Sequence, residues 1–282
     1  MRVLRIVLVF ILGVIIPFAT AEDKSLEVIL LGENESYSGT TDGEDNIIIT
    51  AWNMILAQSE TKLIIDYQQM SMSRSWAELV RLNNACVMNK VITADRLEIA
   101  QYSQYPLSVF PPVRLITLTN KVSLFSSPFS FQQLEANPKL RLGVVKSRSY
   151  GGELNEEIKK YSTQIFTRGG VDSSDKLVDM LLVGRVDGIL EYTLSVEDYL
   201  QDEGRGGEVS ALPIENISDL MLGYIACSKT AEGQAIINAI NSSYAVSGFS
   251  EKFINLHLEH FGQVEAEILQ PTLESLFTSP QE

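Results

Sequence analysis

The stretch Leu26–Met70, LEVILLGENESYSGTTDGEDNIIITAWNMILAQSETKLIIDYQQM, decides the reading of the fold. LEVILL (26–31) is a short β-rich run, and NIIITAWNMILAQ (46–58) spaces its apolar residues as a helix does. KLIIDYQQM (62–70) then returns to a strand pattern. Strand, helix and strand in this order predict a βαβ unit and a sheet with parallel strands.

The same grammar continues outward. SRSWAELVRL (73–82) predicts a helix with Ser73 at its cap and Trp76, Leu79 and Val80 on one face, followed by a strand in ACVMNKVI (85–92). YPLSVFPPVR (105–114) interrupts the rhythm with Pro106, Pro111 and Pro112, so the chain is expected to cross there into a second unit. In that unit LRLGVVK, STQIFTRGG and VDGILEY read as strands, while SYGGELNEEIKKY, DSSDKLVDMLLVGR and SVEDYLQDE read as helices. The polar DEGRGGEVS (202–210) reads as a loop or second linker. LMLGYIACSK is a returning strand, followed by at least two helices parted at Ser247-Gly248. Two crossings predict two lobes with a cleft between them: residues 22–110 and 220–282 in lobe 1, and 111–219 in lobe 2. Trp52 and Trp76 fall at helical apolar positions and are expected in the core.

Composition bounds the function. MRVLRIVLVFILGVIIPFATA (1–21) places Arg2 and Arg5 before an apolar run and ends Ala19-Thr20-Ala21, the pattern of a cleavable signal peptide. Its apolar stretch falls short of the ~20 residues of a spanning helix, so a soluble, exported, periplasmic protein is expected. With 36 acidic against 22 basic residues and a formal net charge of −14, the chain offers no basic patch for nucleic acid or an anionic membrane. Its two cysteines, Cys86 and Cys227, are a bridge or two buried thiols, and their spacing does not decide between these. The two histidines, His257 and His260, accompany no nucleophile elbow or zinc motif, and Glu153, Glu156 and Glu157 suit a solvated helix start. No catalytic centre, metal site or cofactor is expected.

Five segments in order, VILLGENESY, MNKVITADRLEIAQYSQYP, LGVVKSRSYGG, LLVGRVDGILEY and LGYIACSKTAEGQAIINAINSSY, resemble the family 3 extracellular solute-binding proteins of the amino-acid-binding kind. The resemblance spans the mature chain. It implies a two-lobed α/β fold of the periplasmic-binding-protein type (type II), each lobe a mixed sheet flanked by helices, with two crossover segments and hinge closure on a small polar solute. In that family a Thr-x-x-Arg turn and a Phe-Ser-x-Pro-like segment sit at the cleft. Thr93 and Arg96 match the turn, Tyr102 and Ser103 match the Phe-Ser, and the proline comes one residue late at Pro106. The resemblance makes Arg96 the clamp for a ligand carboxylate, since its planar fork suits that group; the alternative is pairing with Asp95, Glu98 or another acid on the surface.

It also places Ser149 and Tyr150 toward the ligand, beside a helix start whose free N–H groups favour an anion, and Tyr37 as an aromatic wall. Two departures affect the ligand. Where amino-acid binders carry a threonine five residues before the arginine, this chain has Val91. Where they carry an aspartate for the ammonium, it has Tyr192, with Glu191 beside it as the possible substitute. The expected solute is therefore a carboxylate-bearing one rather than an ordinary amino acid. The resemblance further sets the strands of Cys86 and Cys227 side by side and implies a disulfide. It implies a monomer serving an ABC-type membrane permease or, alternatively, a membrane sensor protein. The tail EAEILQPTLESLF is weakly amphipathic and is expected to dock on a lobe or on a partner.

Overall fold

The computed structural model describes residues 25–33, 46–217 and 219–278. The signal-peptide segment and Tyr37 lie outside them. Strand β1 (Ser25–Gly32) pairs in parallel with β2 (Lys62–Gln69) along its whole length, from Ser25↔Lys62 to Gly32↔Gln69. Helix α1 (Ile47–Gln58) connects them. It begins where it does because the Asn46 side chain accepts from the amides of Ile48 and Ile49 at 3.0 and 3.3 Å. Ile47, Ala51 and Ile55 recur every fourth residue and bury one stripe of the helix.

Helix α2 (Met72–Arg81) leads into β3 (Ala85–Lys90), which is parallel to β1 on its other side. The helix starts at Met72 with Ser71 in the cap position, so the expected cap at Ser73 is displaced by two residues. Met72, Ser75 and Leu79 set the inner face, and Val80, 100° further round the helix, is 60% exposed instead of buried. A short turn of helix α3 (Ala94–Leu97) precedes β4 (Ala100–Tyr102), and β5 (Ser108–Phe110) follows between the prolines of the first crossing. The expected proline break thus contains a strand.

After Pro111, Pro112 and Val113 a second sheet begins with β6 (Arg114–Leu118). The short α4 (Gln133–Ala136) precedes β7 (Leu142–Val145), which leads to α5 (Gly152–Lys160), β8 (Ile165–Arg168), α6 (Ser173–Leu182), β9 (Gly188–Glu191), α7 (Thr193–Asp202) and β10 (Val209–Leu212). Its order is β10-β6-β9-β7-β8, with β7 parallel to β8 and β9, and β6 antiparallel to β9 and β10. Of the glycine-rich 202–210 segment, residues 203–208 form a loop and not the second linker: the chain first adds β10, where Leu212 pairs with Leu115 and Val209 with Leu118. It crosses back only between Leu212 and Met221.

Strand β11 (Met221–Ser228) then enters the first sheet antiparallel to β3, giving the order β2-β1-β3-β11-β4 with β5 also on β11. Cys227 stands opposite Cys86 in this register, and the two are joined as a disulfide. By loop-closure entropy, a bridge over so long a loop contributes about 4 to 5 kcal/mol. Helices α8 (Ala231–Tyr244), α9 (Phe249–His260) and α10 (Gln263–Thr278) close the chain.

His257 is fully buried in α9. Its Nε2 accepts the Val109 amide at 3.1 Å, and its Nδ1 is 2.8 Å from the Phe253 carbonyl, which fixes the neutral tautomer with the proton on Nδ1. Burial pushes its pKa down to about 4, the Phe253 carbonyl opposing the shift. The tail docks on the first unit: Leu269 and Leu273 are buried, and Phe277 stacks on Tyr105 with ring centroids 5.2 Å apart. Each such buried side chain contributes about 1.5 to 3 kcal/mol.

Candidate functional site

A cleft of about 460 Å³ opens between the two sheets. The first sheet supplies the carboxyl ends of β1 and β3, where ligand sites of parallel sheets lie. The second supplies the loop after β7, the start of α6 and the end of β9.

Arg96 lies in its wall and is 9% exposed. Its guanidinium stands over the Trp76 ring, 4.6 Å from the centroid. Nη1 donates to the Val91 carbonyl at 3.0 Å, and Nη2 donates to the Ser147 carbonyl at 2.8 Å, which joins the first sheet's wall to the second's. No acid pairs with it among the described residues: Asp95 takes the Thr93 hydroxyl at 2.5 Å instead, and Glu98 forms no ion pair. Burial lowers the Arg96 pKa, with Tyr102 and Asp95 opposing, but an arginine so shifted keeps its charge.

The second wall has a different economy of charge. Arg148 Nη1 meets Glu191 Oε2 at 2.5 Å, and Nη2 donates to the Ser174 hydroxyl at 2.8 Å. Glu191 also accepts the Tyr192 amide at 3.1 Å and is 2% exposed. Burial opposes the Arg148 charge, and Glu191, with Tyr150 and Tyr192, more than restores it. Asp172 and Asp175 stand at the start of α6 on the same side, and burial followed by Asp172 and Glu191 raises the Asp175 pKa.

Of the residues singled out in the sequence, the cleft gathers Arg96, Ser149, Glu191 and Tyr192. Tyr150 is elsewhere: it is 3% exposed in the core, and its hydroxyl accepts the Val145 amide at 2.8 Å. Thr93 is also outside the lining, its hydroxyl committed to Asp95. Glu191, expected beside a ligand ammonium, faces the cleft and forms an internal pair with Arg148. Ser149 accepts from Asn155 Nδ2 at 3.0 Å. The Tyr150 amide at the α5 entrance, expected free for an anion, donates to Asn155 Oδ1 at 2.9 Å. Trp76, expected in the core, is half-buried beneath Arg96 with its indole N–H unpartnered among the described residues.

Sequence reasoning passed over Arg148, Lys90, Glu33, Asp172 and Asp175. Arg148 lay within the KSRSYGG segment, and Lys90 closed a buried strand, where a charge at the carboxyl end marks a site. Among the described residues no group of histidines, cysteines and acids is placed to hold a metal ion, and no helix is long and apolar enough to cross a membrane.

No family model matches the chain, and no curated protein does. Solved structures do. A histidine kinase sensor domain with similarity to periplasmic binding proteins matches with a TM-score of 0.63 at 9% identity, over 85% of this chain and 98% of that one. A Streptococcus mutans structure described with GshT-mediated glutathione import and a cystine ABC importer matches at 0.60 and 13%, over 84% and 95%. A Streptococcus pneumoniae amino acid ABC transporter substrate-binding protein bound to L-arginine matches at 0.59 and 13%, over 84% and 94%. The chain thus has the two-lobed fold of the periplasmic binding proteins, as the resemblance implied, and these relatives are binding and sensing proteins rather than enzymes.

Proposed function

We propose that this protein is an exported solute receptor that closes its two lobes on a small, carboxylate-bearing solute and presents it to an ABC-type importer. The observation that carries the reading is Arg96: a buried guanidinium in the cleft wall, held by carbonyls of both walls and without an acidic partner among the described residues. Burying a charge without its counter-charge costs several kcal/mol, and an anionic solute offsets that cost where an internal acid does not. Arg96 is proposed as the clamp, with Ser149 and Tyr192 as neighbouring contacts and Tyr37 as an aromatic contact. Closure follows because the solute touches both walls and so favours the state in which they meet. The proposed lobes are 22–110 with 220–282, and 111–219.

The likeness to a kinase sensor domain supports a second reading, in which the same closure signals to a membrane protein and moves no solute. The test of the first claim is calorimetric titration of the protein and of its Arg96→Ala variant with a carboxylate solute. The variant is expected to lose at least about 100-fold in affinity while its melting curve stays cooperative. Equal affinities would remove Arg96 from the site. A permease that is stimulated by the loaded protein separates the importer reading from the sensor reading.

A further inference from the structure

Lys90 is the last residue of β3, and the strand is bent to present it. Val87 pairs with Ala226 and Lys90 with Tyr224, so β3 holds one residue more than β11 opposes. Asn89 takes up the excess with φ 56°, in the left-handed region. Gly223 faces it because a Cβ there would overlap Asn89 Oδ1, and Asn89 Oδ1 accepts the Ser108 hydroxyl at 2.8 Å. A bulge of this kind beside a site re-aims a side chain, and strained backbone persists only where its surroundings enforce it.

Turned in this way, half-buried Lys90 lines the cleft with Arg96, and its ammonium forms no hydrogen bond or ion pair among the described residues. Three charged groups face it: Glu33 from the end of β1, Arg96 from the turn after β3, and Arg148 from the loop after β7. Glu33 is the one acid of the three: it accepts the Met72 amide at 3.1 Å and attracts Lys90 without forming an ion pair with it. Arg148 is neutralised by Glu191. Two cations, Arg96 and Lys90, share one cleft, and among the described residues no acid forms an ion pair with either.

We propose that Lys90 is a second anion-holding residue and that the solute carries two carboxylates, one received by Arg96 and the other by Lys90. This rests on the receptor reading above and narrows its solute class. The chemistry is shared by plain dicarboxylates and acidic amino acids. The acids Asp172 and Asp175 on the opposite wall give the amino acid a place for its ammonium, so comparison of the two separates the sources. Burial, with Arg96 and Arg148, brings the Lys90 pKa down to about 8 against the pull of Glu33. Two-carboxylate binding should therefore weaken as pH rises through about 8 and 9, approaching tenfold per pH unit, as Lys90 loses its proton. Binding through Arg96 alone stays flat over the same range.

The experiment is calorimetric titration with succinate, glutarate and glutamate, each beside a one-carboxylate counterpart: butyrate, valerate and glutamine. It is run at pH 7 and pH 9 on the protein, on Lys90→Met and on Lys90→Arg. The expected result is that a two-carboxylate solute binds at least about tenfold more tightly than its counterpart at pH 7. Lys90→Met removes that margin and the pH dependence, and Lys90→Arg restores the margin without the pH dependence. Tight binding of a one-carboxylate solute, unchanged in Lys90→Met and still dependent on Arg96, would overturn the role of Lys90 and leave the receptor reading standing. Absence of binding by every carboxylate to a cooperatively folded protein would overturn both.

Discussion

Two arginines, Arg96 and Arg148, line opposite walls of one cleft, and they are treated differently. Arg148 is satisfied from within its own wall by Glu191 and Ser174. Arg96, laid on Trp76, has two backbone carbonyls for hydrogen-bond partners among the described residues. The difference offers a way to separate scaffold from site when both are built from the same residue type: a buried charge paired with its counter-charge organises the wall, while a buried charge without one is, on the proposed reading, the candidate for a solute contact. The scaffold that tolerates the unpaired charges is the better fastened one, with the Cys86–Cys227 bridge, the bonded imidazole of His257 and the docked α10.

The comparison breaks most readily at Glu191. Glu191→Ala leaves Arg148 buried without its partner and should cost about 3 to 4 kcal/mol in a denaturant titration. The double change with Arg148→Met should recover most of it. A loss below about 0.5 kcal/mol would mean that the pair does not organise the second wall.

Next comes an acid titration of stability. His257 is held neutral, its folded pKa near 4 lying below the unfolded value near 6.5. Between these values the unfolded chain takes a proton that the folded one refuses, so stability falls as pH drops from about 6.5 to 4, by about 2 to 3 kcal/mol. Above pH 6.5 the residue adds no pH dependence. His257→Gln should flatten this part of the profile, and an unchanged slope would assign the acid sensitivity elsewhere.

The smallest effect has the opposite sign. Lys90 is charged below about pH 8 in a place that disfavours its charge. The penalty is fully present at neutral pH and is relieved as pH rises from about 8 toward 10.5. Lys90→Met should therefore stabilise the protein at pH 7 by about 1 to 2 kcal/mol, read as a higher melting temperature. A lower melting temperature would make Lys90 part of the scaffold, like Arg148.

Much of the fold could be read in advance because its signals are local. Ile47, Ala51 and Ile55 announce a helix by spacing alone, and Leu26–Leu31 and Lys62–Met70 flank it as strands. Arg96 could be reached through the resemblance of its turn. Non-local facts could not. That Glu191 pairs with Arg148 depends on a contact between positions 43 apart, and no short-range pattern encodes it. The aim of Lys90 depends on a bulge shared by Asn89 and Gly223 across two strands. Composition leaves 202–210 open as a loop or a linker, and the pairing of β10 with β6, which makes it a loop, lies outside any single window. Tyr150 shows the same limit: next to the cleft in sequence, it turns inward to the Val145 amide.

The most direct measurement of the central claim is a thermal-shift screen of the protein against carboxylates, neutral sugars, neutral amino-acid amides and polyamines. The account predicts that stabilisation is confined to anionic solutes. At ~100 times the dissociation constant, a bound solute should add about 2.7 kcal/mol and raise the melting temperature by roughly 5 to 10 °C. A comparable shift with a sugar or a polyamine, and none with any carboxylate, would contradict the reading of Arg96 as a charge reserved for the solute.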